Sequence, residues 1–242
     1  MNSIYVVGMG PGKEEGMTLE ALEVLDKADI IVGYPVYLEL LSDRYAHKEK
    51  LGTPMKREVE RCQICIDKAL EGKQVALICS GDAGVYGMAS LVLELVDNRQ
   101  DIEVYVVAGV SAALSGAAAL GAPLSHDFCV ISLSDLLTPF DLIMKRIRYA
   151  AKGDFAMAIY NPSSMKRADY FQKACDILLE EISADTVCGY VENIGREGQK
   201  STICTLKELR DTSVNMFTTV FIGNSTTRVI GNKMVTKRGY NV

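Results

Sequence analysis

The sequence contains no apolar run near the roughly 18 residues that a membrane-spanning helix needs, so no membrane partner is expected. It has no basic excess either: 26 Lys and Arg stand against 31 Asp and Glu, a formal net charge of −5, and the cations are scattered. A nucleic-acid partner demands a clustered basic stripe and is likewise not expected. Histidine is scarce, with only His47 and His126. The C-x-x-C pair Cys62/Cys65 therefore lacks the second pair or the histidines that would complete a zinc site, and no metal is expected. No glycine loop is followed by G-K-[ST], which removes a P-loop. Internal repeats and low-complexity tracts are missing too. A strand-like run, Ile4–Val7, starts almost at the first residue and leaves no stretch for a signal peptide. The expected compartment is the cytoplasm, where the seven cysteines stay reduced.

What is present is ordinary globular composition, 242 residues with 48% hydrophobic and 24% charged, enough for one large domain or two small ones. Short apolar runs alternate with amphipathic segments. Strands are expected at Ile4–Val7, Ile30–Val32, Val75–Cys79 and Glu103–Val107. Helices are expected at Thr18–Ala28, with Thr18 as N-cap and Leu19, Leu22 and Leu25 inward, and at Glu58–Glu71, Gly84–Val96 and Ser111–Leu120. Such βα alternation predicts a largely parallel sheet covered by helices. Gly121-Ala122-Pro123 breaks the pattern as a linker, giving domains over 1–120 and 124–242. The second half reads as strands at Phe128–Ser132, Phe155–Tyr160, Thr186–Val191, Ser201–Cys204 and Thr218–Ile222. Its helices read as Phe140–Ala151, Lys166–Ile182 and a short one near Leu206–Asp211. More strands and fewer helices predict a mixed sheet. In the helix 58–71 the face Val59, Cys62, Ile66, Ala69 and Leu70 is apolar, so both cysteines are read as core. Cys175 reads the same way, on a face with Ala168, Phe171, Leu178 and Ile182.

Glycines gather at strand ends. Gly8-Met9-Gly10-Pro11-Gly12 follows the first strand, Ser80-Gly81-Asp82-Ala83-Gly84 follows Val75–Cys79, and Ala108-Gly109-Val110-Ser111-Ala112 follows Glu103–Val107. In open parallel sheets ligands bind beyond the carboxyl ends of strands, and glycine lets backbone approach a ligand closely. One such loop is no more than a tight turn; three point to a small-molecule site. A dinucleotide is the obvious ligand, but Lys13 occupies the third glycine place of G-x-G-x-x-G and Pro11 removes a backbone donor. Gly33 and Tyr34 stand where that fingerprint wants an acid. Loops without a phosphate pattern suit a ligand without phosphates, such as S-adenosylmethionine.

The pieces V-G-M-G-P-G at 7–12, S-G-D-A-G-V-Y-G at 80–87, G-V-S-A-A at 109–113, Y-N-P at 160–162 and V-E-N at 191–193, in this order and spacing, resemble the tetrapyrrole (precorrin/uroporphyrinogen) methylase family over the whole chain. Residues 125–139, S-H-D-F-C-V-I-S-L-S-D-L-L-T-P, and 193–199, N-I-G-R-E-G-Q, resemble one branch of it, the precorrin-3B / cobalt-factor III C17-methyltransferases of cobalamin biosynthesis, which couple methylation to ring contraction. The resemblance implies two α/β domains with S-adenosylmethionine held in the cleft between them, usually in a homodimer. Carried over by motif, cofactor contacts fall on Pro11, Gly81, Asp82, Val85, Ser111, Ala112 and Asn161. Ala83 and Ala108 depart from the family pattern, which has proline at both places.

Methyl transfer from a sulfonium is an in-line displacement that asks mainly for proximity and alignment. The resemblance implies that a substrate acetate closes a lactone as the ring shrinks, so a proton acceptor or donor helps. His126, Ser134 and Asp135 lie in the branch-specific segment and are the catalytic candidates; His126 also reads as a loop histidine and Asp135 as a helix N-cap. Asp82 reads either as a contact to the cofactor's polar end or as a turn-stabilising Asx residue. The tetrapyrrole's carboxylates call for basic partners, with Lys166, Arg167 and Arg196 as candidates. A related methylase acting at another ring position or on another substrate, and a non-catalytic nucleotide-binding module, are the competing readings.

Overall fold

The computed structural model describes residues 2–163 and 169–241, so Lys166, Arg167 and Ala168 lie outside the described residues. The chain forms two compact units, Met1–Ala112 and Ala113–Val242.

The first unit holds β1 (Asn2–Gly8), α1 (Leu19–Lys27), β2 (Ile30–Gly33), α2 (Pro35–Leu38), β3 (Glu49–Gly52), α3 (Glu58–Leu70), β4 (Val75–Cys79), α4 (Ala89–Val96) and β5 (Ile102–Val107). Its strands run in the order β3-β2-β4-β1-β5, and every pairing is parallel. Side chains alternate along each strand between two cores. Ile4, Val6, Leu77 and Cys79 join α3 and α4 on one face. Val7, Ala76 and Ile78 join α1 on the other, with Ala21, Leu25 and the fully buried Tyr45. β2 and β4 are buried throughout, as a sheet covered on both faces requires. From β1 the chain crosses to β2 on one side, and from β4 to β5 on the other. The loops after β1 and β4 therefore diverge at a topological switch point, where open α/β sheets bind ligands.

Helix starts and ends follow local chemistry. The Thr18 hydroxyl accepts from the Ala21 N–H at 3.1 Å and caps α1 as expected, although Leu19 points to solvent. Gly72, at φ +83°, ends α3. The buried face of α3 is Arg61, Cys62, Cys65, Ile66 and Ala69, so Val59 and Leu70 are exposed and an arginine takes their place inside.

The second unit contains α5 (Ala112–Leu120, beginning at the unit boundary), β6 (Gly121–Ala122), β7 (Phe128–Ser132), α6 (Phe140–Lys152), β8 (Ala156–Tyr160), α7 (Tyr170–Glu181), β9 (Val187–Glu192), β10 (Lys200–Thr205), α8 (Leu206–Arg210), β11 (Thr218–Ile222), β12 (Thr227–Ile230) and β13 (Lys233–Thr236). The main sheet runs β10-β9-β11-β8-β7. Only β7 and β8 pair in parallel; the other neighbours are antiparallel, which makes the sheet mixed. Its core gathers Ile143 and Ile147 of α6, Phe171, Cys175 and Leu178 of α7, and Val220 and Ile222 of β11. The unit boundary falls ahead of the expected one at 120 because α5 packs within the second unit. A Cβ at Gly116 would lie 2.8 Å from Phe221, and one at Gly189 would lie 2.9 Å from Leu120. Gly121 and Ala122, read as linker, instead pair with β13 as a strand.

Candidate active site

In the first unit the three glycine loops meet backbone to backbone. Gly10 and Gly81 exchange two N–H···O bonds of 3.0 and 2.8 Å across the ends of β1 and β4. A Cβ at Gly109 would fall 2.2 Å from the Gly81 carbonyl oxygen and 2.6 Å from that of Gly8. Only glycine permits this approach. Asp82 ties the loops together: one carboxylate oxygen accepts the Gly84 N–H at 2.8 Å, an Asx-type turn, and the other accepts the Gly109 N–H at 2.9 Å. Its bonded role is thus structural. Thr18 adds a further tie, donating to the Ala108 carbonyl at 3.2 Å.

Of the carried-over contact residues in this unit, Ser111 is buried, Pro11, Asp82 and Ala112 are half-buried, and Val85 is exposed. Gly81 sits at φ +72° with its Cα hydrogen toward Ser111, whose Cα would be 3.5 Å from an added Cβ. Tyr86, beside Val85, also takes a left-handed φ of 54°. The loop after β1 does not open a helix. A short 3-10 turn at Glu14–Gly16 intervenes, and α1 begins only at Leu19 under its own Thr18 cap. No helix N-terminus faces out of this loop, so the anion site that a pyrophosphate uses in a dinucleotide fold has no counterpart here.

In the second unit a polar cluster sits at the carboxyl ends of the parallel pair β7 and β8. Asn161, at φ 52°, donates from its amide to the Ser132 hydroxyl at 2.9 Å. That hydroxyl also accepts the Ser134 N–H at 3.2 Å. The Tyr170 hydroxyl donates to Asp135 at 2.8 Å. Tyr170 is itself fixed by the Phe140 ring, 4.2 Å away between centroids, and by Lys173, whose ammonium is 5.8 Å from the Tyr170 centroid. The Tyr160 hydroxyl accepts the Ala113 N–H at 2.7 Å, joining Y-N-P to the last residue of G-V-S-A-A.

His126 does not join this cluster. It precedes β7, whereas Ser134 and Asp135 follow it, so the length of the strand, about 16 Å at roughly 3.3 Å per residue, separates them. The imidazole is half exposed and lies 3.4 Å from Asp127, with Nδ1 accepting the Asp127 N–H at 2.8 Å. Arg196 lies with its guanidinium 5.7 Å from the Phe217 ring. Ser132, Tyr160 and Tyr170 escaped the sequence reading. Ser132 and Tyr160 lie inside the segments 125–139 and 160–162 but are strand ends, and Tyr170 is brought to Asp135 only by the fold.

The family description "Tetrapyrrole (Corrin/Porphyrin) Methylases" matches residues 3–210. The chain belongs to this family. It is a methyltransferase, 46% identical over 240 residues to a probable cobalt-factor III C(17)-methyltransferase of Salmonella typhimurium, covering 99% of this chain and 100% of that one. A precorrin-3B C(17)-methyltransferase of a Sinorhizobium species is 35% identical over 232 residues, 94% of this chain and 91% of its own. Among solved structures, the methyltransferase CobJ superposes with a TM-score of 0.91 at 36% identity, over 98% of this chain and 100% of that one. A uroporphyrin-III C-methyl transferase from Thermus thermophilus, complexed with S-adenyl homocysteine, shares the fold at a TM-score of 0.71 and 20% identity, over 91% of this chain and 92% of that one. The two α/β units, one wholly parallel and one mixed, thus make a fold that this chain shares with a solved methyltransferase. Among the described residues no helix is long and apolar enough to cross a membrane.

Proposed function

We propose that this methylase transfers a methyl group from S-adenosylmethionine to C17 of a precorrin-3B or cobalt-factor III macrocycle and promotes its ring contraction, a step of cobalamin biosynthesis. The observation that carries the reading is the convergence of the three glycine loops at the switch point of the parallel sheet, in a chain that matches C17-methyltransferases from end to end.

The residues fit such a cofactor. Gly8, Gly81 and Gly109 let the three loop backbones close onto one another at the strand ends, and Val85 and Val110 present apolar surface there. Pro11, Gly81, Val85, Ser111 and Ala112 would hold it, with Asp82 bracing the loops. When bound, S-adenosylmethionine supplies an electrophilic methyl on a sulfonium. The protein's share is alignment and exclusion of water, for which preorganised backbone is suited. On this reading Asp135, which accepts a hydrogen bond from Tyr170, moves a proton during ring contraction. Asn161 and Ser134 hold the Ser132 hydroxyl at the end of the same strand. His126 is left out of this machinery.

The working form is proposed to be a homodimer in the cytoplasm; the exposed apolar Tyr105 and Val106 on edge strand β5 support the pairing of two copies. Incubation with S-adenosylmethionine and either cobalt-factor III or metal-free precorrin-3B, followed by mass spectrometry and NMR of the product, tests the reaction. A C17-methylated, contracted macrocycle is expected. Methylation at another carbon, or none with either substrate, overturns it.

A further inference from the structure

The first unit contains a cavity of about 190 Å³ next to the loop that carries Gly81 and Asp82, lined among others by Tyr34, Tyr37, Ser80, Tyr86, Met88 and Arg61. Arg61 is an unusual occupant. It lies on the inward face of α3 and is only 4% exposed. Its guanidinium donates to the Thr53 carbonyl at 2.9 Å and the Pro54 carbonyl at 3.1 Å, and makes a 3.3 Å contact with the Met88 sulfur. The Tyr34 ring is 5.9 Å away. Every one of these partners is neutral. Nε is buried with no hydrogen-bond partner, and among the described residues Arg61 makes no ion pair. Glu58, one helical turn earlier and also at the cavity, turns its carboxylate to the Lys56 N–H at 3.1 Å.

A buried cation without a counter-ion is costly, and such charges are found paired or bound to a ligand. The unpartnered Nε–H is a charge-assisted donor of the kind a carboxylate accepts, and tyrosine and serine side chains line the cavity beside it. We infer that Arg61 and its cavity form a binding subsite for one carboxylate side chain of the tetrapyrrole, making Arg61 a substrate-binding residue. The inference rests on the reading of the substrate as a polycarboxylate macrocycle. It places a substrate contact on the same loop that shapes the proposed cofactor site, because Ser80, Tyr86 and Met88 belong to or directly follow S-G-D-A-G-V-Y-G.

The test uses the full chain and two readouts. Uroporphyrin III, a stable fluorescent octacarboxylate, is titrated into wild type, Arg61→Lys, Arg61→Met and Met88→Glu, with S-adenosylhomocysteine affinity and Tm measured on the same samples. Met88→Glu leaves Arg61 in place, sets a carboxylate against it just before α4, where the helix dipole favours an acid, and so occupies the subsite without opening a cavity. Loss of one charge-assisted hydrogen bond should weaken porphyrin binding roughly ten- to a hundredfold in Arg61→Met and Met88→Glu. Arg61→Lys should fall between, and S-adenosylhomocysteine affinity should stay at the wild-type value. KM for cobalt-factor III should rise in the same order. Wild-type porphyrin affinity in a folded Met88→Glu or Arg61→Met, or no porphyrin binding by wild type, overturns the subsite. Arg61-dependent porphyrin binding in a wild-type protein that methylates nothing would uphold the subsite and remove the proposed reaction instead.

Discussion

Two glycines of the loop cluster make opposite predictions although both sit at strand ends. An alanine at Gly109 would place its Cβ 2.2 Å from the Gly81 carbonyl and 2.6 Å from that of Gly8, both backbone, so the loops must part. At Gly81 the nearest atom to an added Cβ is 3.5 Å away, and only the left-handed φ opposes the change, at about 1–2 kcal/mol. Gly81→Ala should therefore fold with slightly lowered stability, while Gly109→Ala loses several-fold more stability and its cofactor affinity with it; urea titrations of both variants check the order. Asp135→Asn should cut turnover by about 10²–10⁴ if the carboxylate moves a proton, Tyr170→Phe should cut it less, and His126→Ala should leave it at the wild-type rate. A rate loss in His126→Ala equal to that in Asp135→Asn would return the histidine to the mechanism. These residues also mark how far sequence is legible. The glycine loops could be read because the missing Cβ is itself the functional property. His126 shares a segment with Asp135 but stands before β7 where Asp135 stands after it. Arg61 was invisible because a charged residue on an amphipathic helix reads as solvated.

At the scale of elements, the strongly periodic and apolar segments stand where their patterns put them, β4, β7 and β11 to the residue. The missed ones are short and carry little periodicity. β3 is the edge strand Glu-Lys-Leu-Gly with no fully buried position, and β12 shows three exposed residues of four. Helix α4 starts later than its pattern because Gly84–Met88 are held in turns by Asp82 and by the Ala89 N–H to Ala83 carbonyl bond of 3.1 Å. Helix α3 supports the packing reading of C-x-x-C: Cys62 and Cys65 are buried and unbridged among Ile4, Ile30 and Leu77. Burial pushes the Cys62 thiol up to about 12 and Cys65 higher still. In α7 it does the same to Cys175, to about 12. A raised thiol pKa keeps the reactive thiolate scarce, at pH 8 about one molecule in ten thousand for a value near 12. Native protein at pH 8 should leave Cys62, Cys65 and Cys175 unlabelled by iodoacetamide on a timescale that labels all seven cysteines in urea, with peptide mass spectrometry reading each site. Rapid native labelling of Cys62 or Cys65 would mean that α3 opens or that the pair is a functional dithiol.

For the whole molecule, the sequence announced two units but not where one ends. Proline and glycine at 121–123 look like a break, yet Gly121 is needed at φ +134° to carry the chain from α5 directly into a strand beside β13. The boundary instead precedes α5, whose small residues give the helix a surface close enough to meet Phe221 and Ile194. The ligand reading has a consequence at this scale because binding only the folded chain adds stability by mass action. S-adenosylhomocysteine at 100 times its Kd should add about 2.7 kcal/mol. For a chain of this size that corresponds to a rise in Tm of roughly 5–10 °C, growing with the logarithm of ligand concentration. NAD at the same concentration should leave Tm unchanged, because the loop after β1 offers it no helix N-terminus. Gly109→Ala, which forces the three loops apart, should lose the shift even at temperatures where it remains folded, whereas Met88→Glu should keep it. A shift with NAD and none with S-adenosylhomocysteine would overturn the cofactor reading. A shift that survives Gly109→Ala undiminished would mean that the ligand sits elsewhere than at the meeting point of Gly8, Gly81 and Gly109.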